Sequence, residues 1–380
     1  MNDDEPSLAL LPAGLTDQLP PRAAQEAMVI HHLMATCAGY GYERVKPPLV
    51  EFEDSLLAGP GQSLARQTFR LMDPQSQRMM GVRADMTVQV ARIAGTRLGS
   101  VPRPLRLSYA GSVLRVSGSQ LRNDRQFTQA GFELIGTEAL AGDAEVVQVA
   151  AEALTSLGIK DLSIDLTMPT FVPTICRGLG LSADESEKIR DLLDRKDAAG
   201  LEAIGGIAAK TFAPILAAAG EADTGLEKLS ALSISGEAEL LRAGVASLTE
   251  ILKTRIPGVA LTIDPGEYRG FEYESGTCFT LFAKDVRGEL GRGGRYRLQN
   301  GEPAVGVSIY LDSIMRALPA PAPEQKIYLP ADTPIDAAAR LREEGWRTVQ
   351  GMEPDSDSQA SAKALSCTHI FSKGEARLLD

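Results

Sequence analysis

The feature that most confines this chain is a pair of long alternating stretches on either side of one short polar segment. Residues 103–117 (RPLRLSYAGSVLRVS) and 125–137 (RQFTQAGFELIGT) both read as strands. The segment between them, GSQLRND, reads as a hairpin loop, so the two strands are expected to be antiparallel neighbours. In the second strand Gln129 and Glu133 are an even number of residues apart and share a face. Gly131 lies between them on that face and is expected to leave room for a ligand.

The rest of the chain arranges itself around this hairpin. A helix is expected from about Arg22 to Cys37, with Ala24, Ala27, Met28, His31, Met34 and Ala35 near one face. His31 and His32 on it read as structural, since no partner ligand is near in sequence. YERVKPPLVEF follows as a strand interrupted by Pro47-Pro48, because proline cannot donate to a ladder. GVRADMTVQVAR reads as a strand handing over to a helix. DAEVVQVAAEALTSLGI is an amphipathic helix with Asp143 as N-cap candidate and Gly158 as its stop. From about 172 to 256 alanine and leucine dominate and helix caps recur, which marks a helical insertion. Strands resume at VALTIDP, GTCFTLFAKD, GELGRGGRYRL and PAVGVSIYLDSIMRAL. After a stiff PAPAP linker at 319–323, residues 324–380 alternate strand and helix as a small α/β unit. The fold class is therefore α+β.

Composition excludes several functions. Lys+Arg total 39 against 50 Asp+Glu, a net charge of −11, which disfavours binding to nucleic acid through its phosphates. The four cysteines (Cys37, Cys176, Cys278, Cys367) are scattered, form no CxxC and read as reduced, buried thiols; with only three histidines, no zinc cluster is expected. The N-terminal segment lacks the apolar run of a signal peptide, and no stretch is long enough to span a membrane, so a cytoplasmic protein is expected. GxxxxGK[ST], GxGxxG and GxSxG are all missing. No cofactor is implied.

What remains is a set of polar residues on strands: Arg83 and Asp85, Arg115, Gln129 and Glu133, Arg269 and Tyr273. Read singly, each could be an outward-facing charge. As a set they suit a zwitterion, since arginine takes a carboxylate bidentately and carboxylates take an ammonium or imidazolium.

The order of segments resembles class II aminoacyl-tRNA synthetases, specifically histidyl-tRNA synthetase, over roughly residues 10–317. GYERVKPPLVE looks like the dimer-interface motif 1, with Pro48 as its proline; 114–136 looks like motif 2 and the strand after it. YRGFEYESGT resembles the histidine-specific RGLDYYTG signature, and GGRYRL with PAVGVSIYLDSI resembles GGRYD and motif 3. The resemblance implies an antiparallel sheet flanked by helices over 1–318. It implies a histidine site made of Asp85, Thr87, Arg115, Gln129, Glu133, Arg269, Tyr273 and Glu274, the last replacing a tyrosine of the signature. The departures fall on ATP contacts: Ser313 stands where motif 3 has its arginine, Tyr310 where it has glycine, and Ser117 where motif 2 has glutamate. Serine supplies no fixed charge for a phosphate. Residues 324–380 are too few for a complete anticodon-binding domain and imply a truncated remnant.

A synthetase-like chain with these losses resembles the regulatory subunits of ATP phosphoribosyltransferase. That resemblance implies a non-catalytic subunit with three partners: a short-form catalytic subunit, histidine as feedback effector, and a second copy of itself through motif 1. The alternatives are a divergent histidyl-tRNA synthetase and a sensor serving another process.

Overall fold

A computed structural model describes residues 10–118, 123–268, 274–321, 325–354 and 356–379. The chain divides into a large unit, residues 1–319, and a small one, residues 320–380.

The large unit opens with helix α1 (Arg22–Gly39), which buries Val29, Leu33, Met34 and Cys37. That stripe is rotated from the expected one: Met28 is 61% exposed and His31 faces solvent. Val29 and Leu33 are four apart and bury more carbon than the alanines of the alternative face. Proline divides the next segment as expected, into strands β1 (Glu43–Arg44) and β2 (Val50–Phe52), followed by the short helix α2 (Glu53–Leu56). Strands β3 (Phe69–Met72) and β4 (Met79–Val82) join β2 in a three-stranded antiparallel sheet of order β2-β4-β3, and α3 (Thr87–Gly95) follows. The expected hairpin is β5 (Leu105–Leu114) and β6 (Gln126–Ile135), in register from Leu105 opposite Ile135 to Leu114 opposite Gln126. Helix α4 (Leu140–Ser156) ends near Gly158, whose φ of +94° suits glycine. It begins three residues before the expected cap. Asp143 therefore lies in its first turn and pairs with Arg295 instead of capping the helix.

Strand β7 (Leu162–Thr167) leads into the expected helical insertion: α5 (Phe171–Gly178), α6 (Ala183–Asp194), α7 (Ala198–Ile204) and α8 (Gly206–Ala217). After the two-residue β8 (Gly220–Glu221) come α9 (Ala222–Ser230) and α10 (Glu237–Arg255). Ser182 and Glu185 form a reciprocal capping box at the start of α6. Strands β9 (Ala260–Asp264), β10 (Cys278–Ala283), β11 (Gly291–Arg297) and β12 (Pro303–Tyr310), then α11 (Leu311–Ala317), complete the unit.

Among the described residues the main sheet has the order β1-β5-β6-β12-β11-β10-β7-β9-β8, with β1–β5 and β7–β9 parallel and the other pairs antiparallel. Its two faces differ. One packs Phe132, Leu134, Val305, Val307, Ile309, Phe279 and Leu281 against α1, α4 and the insertion in the principal core. The other is apolar only at one end. There Met86, Val90, Ala91 and Ala94 of the α3 segment cover Leu105, Leu107, Tyr109, Phe127, Tyr296 and Tyr310. The middle of this second face is polar and carries the candidate site. No described helix is long and apolar enough to cross a membrane, and all four cysteines are buried thiols.

The small unit has strands β13 (Lys326–Leu329), β14 (Arg347–Gln350), β15 (His369–Ser372) and β16 (Glu375–Leu378), in the order β14-β13-β15-β16. Helix α12 (Ile335–Glu343) packs on Ile327 and Leu329, and α13 (Ser358–Ala364) on Tyr328. Residues 327 and 328 point to opposite faces of a strand, so each face has its own small core.

Candidate functional site

Strand register gathers the site from three distant parts of the chain. Leu107, Glu133, Gly306, Gly294 and Cys278 form one row across β5, β6, β12, β11 and β10. Tyr109, Gly131, Ser308, Arg292 and Thr280 form the next. Both rows lie on the polar face, beside the turn that carries Asp85 into α3.

Four of the expected residues meet here, all buried. Gln129 donates from Nε2 to Ser308 Oγ (2.7 Å) and Asp85 Oδ2 (3.2 Å), and its Oε1 accepts from the Met86 amide (2.9 Å). Asp85 Oδ1 accepts from the Thr87 amide at 2.7 Å. Thr87 Oγ1 lies 3.0 Å from Tyr109 Oη. Glu133 accepts from Tyr109 Oη at 3.0 Å and from Tyr296 Oη at 2.9 Å, one tyrosine on each carboxylate oxygen. Each oxygen keeps a second lone pair, so the carboxylates can still take a ligand's N–H groups. Burial pushes the Glu133 carboxyl up to about 8, against the two tyrosine hydrogen bonds that favour the charged form. Near neutral pH burial therefore favours the protonated form of this carboxyl.

The other expected residues separate. Arg115 lies at the rim with its guanidinium 5.1 Å from the Phe127 ring centroid and Nε 3.3 Å from the Ala84 carbonyl oxygen. Glu274 is half-buried at the opposite end, where its charge acts on Cys278 and Arg292. Arg269 and Tyr273 lie outside the described residues. Arg83 turns away from the site: Nε donates to the Ser112 carbonyl (2.7 Å) and Nη1 to the Pro47 carbonyl (3.0 Å). Gly131 leaves no space for a ligand, since a Cβ there would come within 2.5 Å of the Tyr109 ring and hydroxyl. Glu133 in turn fills the space above Gly306, where a Cβ would lie 1.6 Å from its Oε2.

Tyr109, Tyr296, Ser308 and Arg292 complete the face and were not singled out as ligand contacts from the sequence. Each sits on the correct side of its own strand. The β5–β6 hairpin brings Tyr109 to Glu133, and only the pairing of β12 between β6 and β11 brings Ser308 and Tyr296 to Gln129 and Glu133.

The three departures from a nucleotide site have visible consequences or positions. Tyr310 is buried, stands opposite Gln129 and packs edge-to-face on Phe127 with centroids 6.0 Å apart. Ser313 is buried on α11 and accepts from Arg316 Nη2 at 2.9 Å. Ser117 is exposed. Among the described residues no group of three His, Cys, Asp or Glu side chains could hold a metal ion. The arrangement offers acceptors for a ligand's ammonium or imidazole N–H groups.

The family described as histidyl-tRNA synthetase matches residues 14–314. The ATP phosphoribosyltransferase regulatory subunit of Rhodospirillum centenum is 54% identical over 377 residues, covering 98% of each chain. An ATP phosphoribosyltransferase regulatory subunit/histidyl-tRNA synthetase from Bacillus halodurans superposes with a TM-score of 0.82 at 23% identity, covering 95% of this chain and 97% of that one. A chain of the ATP phosphoribosyl transferase complex from Thermotoga maritima superposes with a TM-score of 0.61 at 20% identity, covering 75% of this chain and 97% of that one. The family match supports the class II synthetase-like fold expected from the motifs, and the two structural likenesses share the fold of this chain.

Proposed function

The chain belongs to the family of ATP phosphoribosyltransferase regulatory subunits, and from that premise we propose that it binds free histidine and conveys feedback inhibition to a short-form catalytic subunit. Its role is regulatory, in the first step of histidine biosynthesis, and the chemistry belongs to the partner. The Thermotoga maritima chain comes from a complex of the same enzyme, which supports the partnership. In this reading residues 324–380 are a small α/β unit resembling part of an anticodon-binding domain, and the complex works in the cytoplasm.

The observation that carries the histidine reading is a contrast within one sheet face. The acceptor array of Asp85, Gln129 and Glu133 is assembled, with Thr87 beside it. The neighbouring positions expected to contact nucleotide are occupied by a packed Tyr310 and an uncharged Ser313. In this reading Arg115 and Glu274 flank the site at its two ends, and Arg269 and Tyr273 belong to it on the strength of the signature resemblance alone. A second copy of the chain completes the assembly through motif 1. Support for that comes from the sheet β2-β4-β3, one face of which carries Val50, Val82, Phe69, Phe52, Met80 and Leu71 in two rows. None of the six is buried, and Leu71 is 39% exposed.

Calorimetric titration with histidine tests the site. The wild type is expected to bind, and Glu133→Ala to bind at least tenfold more weakly. Unchanged affinity in the variant places histidine elsewhere and overturns the assignment. Histidine-dependent ATP–pyrophosphate exchange is expected to stay at background; robust exchange would restore a synthetase activity.

A further inference from the structure

The polar face carries a positive charge beside its acceptors. Arg292 on β11 stands directly opposite Ser308 on β12, in the row that continues through Gly131 to Tyr109. Side chains opposite one another in such a pair leave from Cβ atoms only about 5 Å apart. Ser308 Oγ in turn accepts from Gln129 Nε2 at 2.7 Å, and the same Nε2 donates to Asp85 at 3.2 Å. The order across the face is therefore Asp85, Gln129, Ser308, Arg292, with a carboxylate at one side and a guanidinium at the other. Two inter-strand spacings, roughly 10 Å, separate β6 from β11. Depth is graded in the same direction. Glu133 is 1% exposed and Ser308 8%, while the Arg292 side chain is 27% exposed.

Glu289 orients the guanidinium, with its Oε1 3.2 Å from Arg292 Nη2. Burial works against the charge of Arg292, but Tyr310, Glu289 and Glu274 outweigh it and keep the group protonated. A planar fork of five N–H donors can serve a second carboxylate while the first orients it. Arg115 is worse placed. Its amide bonds the Arg125 carbonyl, four residues before Gln129 and roughly 13 Å away along the strand direction, and its guanidinium lies against Phe127. We infer that Arg292 takes the α-carboxylate of the amino-acid ligand and makes the site selective for the free acid. This rests on histidine being the ligand of this face. The imidazole then lies deep, toward Glu133. The ammonium lies toward Asp85, and the carboxylate toward the more exposed Arg292. A ligand whose carboxylate is esterified or absent forfeits the charge-assisted pair, so the chain responds to the free amino acid.

Calorimetry with two ligands tests this. Histidinol keeps the ammonium and imidazole of histidine and carries a hydroxymethyl group in place of the carboxylate. The wild type is expected to bind histidine about ten- to hundredfold more tightly than histidinol, the range of a hydrogen-bonded charge pair. Arg292→Met is expected to lose that factor for histidine and to keep its histidinol affinity within about threefold, so that the preference collapses. Arg292→Gln, which leaves Glu289 a donor, guards against a loss of folding and is expected to behave alike. A residue that only supported the fold would weaken both ligands equally and leave their ratio untouched. An unchanged ratio in either variant would overturn the inference. So would a wild type that binds the two ligands within about twofold of each other, a result that needs no variant to fold. Failure of the underlying reading looks different: neither ligand gives heat with the wild type, or Glu133→Ala binds histidine as tightly as the wild type does.

Discussion

Replacing Glu133 by glutamine should change how stability depends on pH. Glu133 is 1% exposed, and burial raises its carboxyl from 4.5 to about 8 in the folded chain. A carboxyl whose folded value is raised binds its proton more tightly in the fold than in the unfolded chain. Its contribution is thus fully present below pH 4.5 and is lost as pH rises through 8. Between pH 6 and pH 9 this one group should cost the wild type about 2–3 kcal/mol of stability, from roughly 1.4 kcal/mol per pH unit across the titrating range. Glutamine is neutral throughout and removes that slope. It cannot accept at its nitrogen, so one tyrosine must reorient, and Tyr109 has Thr87 Oγ1 at 3.0 Å as another partner. Replacing one hydrogen-bond arrangement by the other should cost only about 1 kcal/mol. Glu133→Gln is therefore expected to be slightly less stable than wild type at pH 6 and more stable at pH 9. Asp165 and Glu267 are raised by burial to about 6 and about 7, but they act in both proteins and cancel in the difference. Calorimetric unfolding at the two pH values measures the effect. The wild-type midpoint should fall by roughly 4–6 °C more than the variant's, at about 2 °C per kcal/mol for a unit of this size. Parallel pH dependence would mean that Glu133 ionises freely in the fold, and the burial account would fail.

Two further substitutions test the site's supports. Gly306→Ala places a Cβ 1.6 Å from Glu133 Oε2 and must push the carboxylate off Tyr296. A loss of about 2–3 kcal/mol in chemical unfolding is expected, together with weakened histidine binding; wild-type behaviour would show that the glycine is dispensable. Arg295→Met strands the buried Asp143, which the arginine holds by Nε at 3.1 Å and Nη2 at 2.5 Å. It should cost about 3–5 kcal/mol near neutral pH. The deficit should shrink in acid, where Asp143 takes up a proton, and Asp143→Asn should recover part of it. A deficit that does not vary with pH would contradict the ion-pair account.

Period-two alternation located β5 and β6 and placed Gln129 and Glu133 on one face, because facing along a strand depends only on residues two apart. Helix α4 and the capped insertion helices were equally local, and motif order carried the synthetase-like fold. Local pattern failed wherever the answer depended on a neighbour from elsewhere in the chain. Asp143 looks like a cap until Arg295, 152 residues away, claims it. Gly131 looks like room for a ligand until the register sets Tyr109 opposite it. Arg83 and Asp85 are two residues apart and looked like parts of one ligand set, yet Arg83 reaches for the Pro47 carbonyl while Asp85 faces Gln129. The sequence alone therefore determined which side chains could share the polar face. The tertiary structure decided which of them bind one another and which turn away to other partners. The insertion of β12 between β6 and β11 is a long-range pairing that no local periodicity encodes.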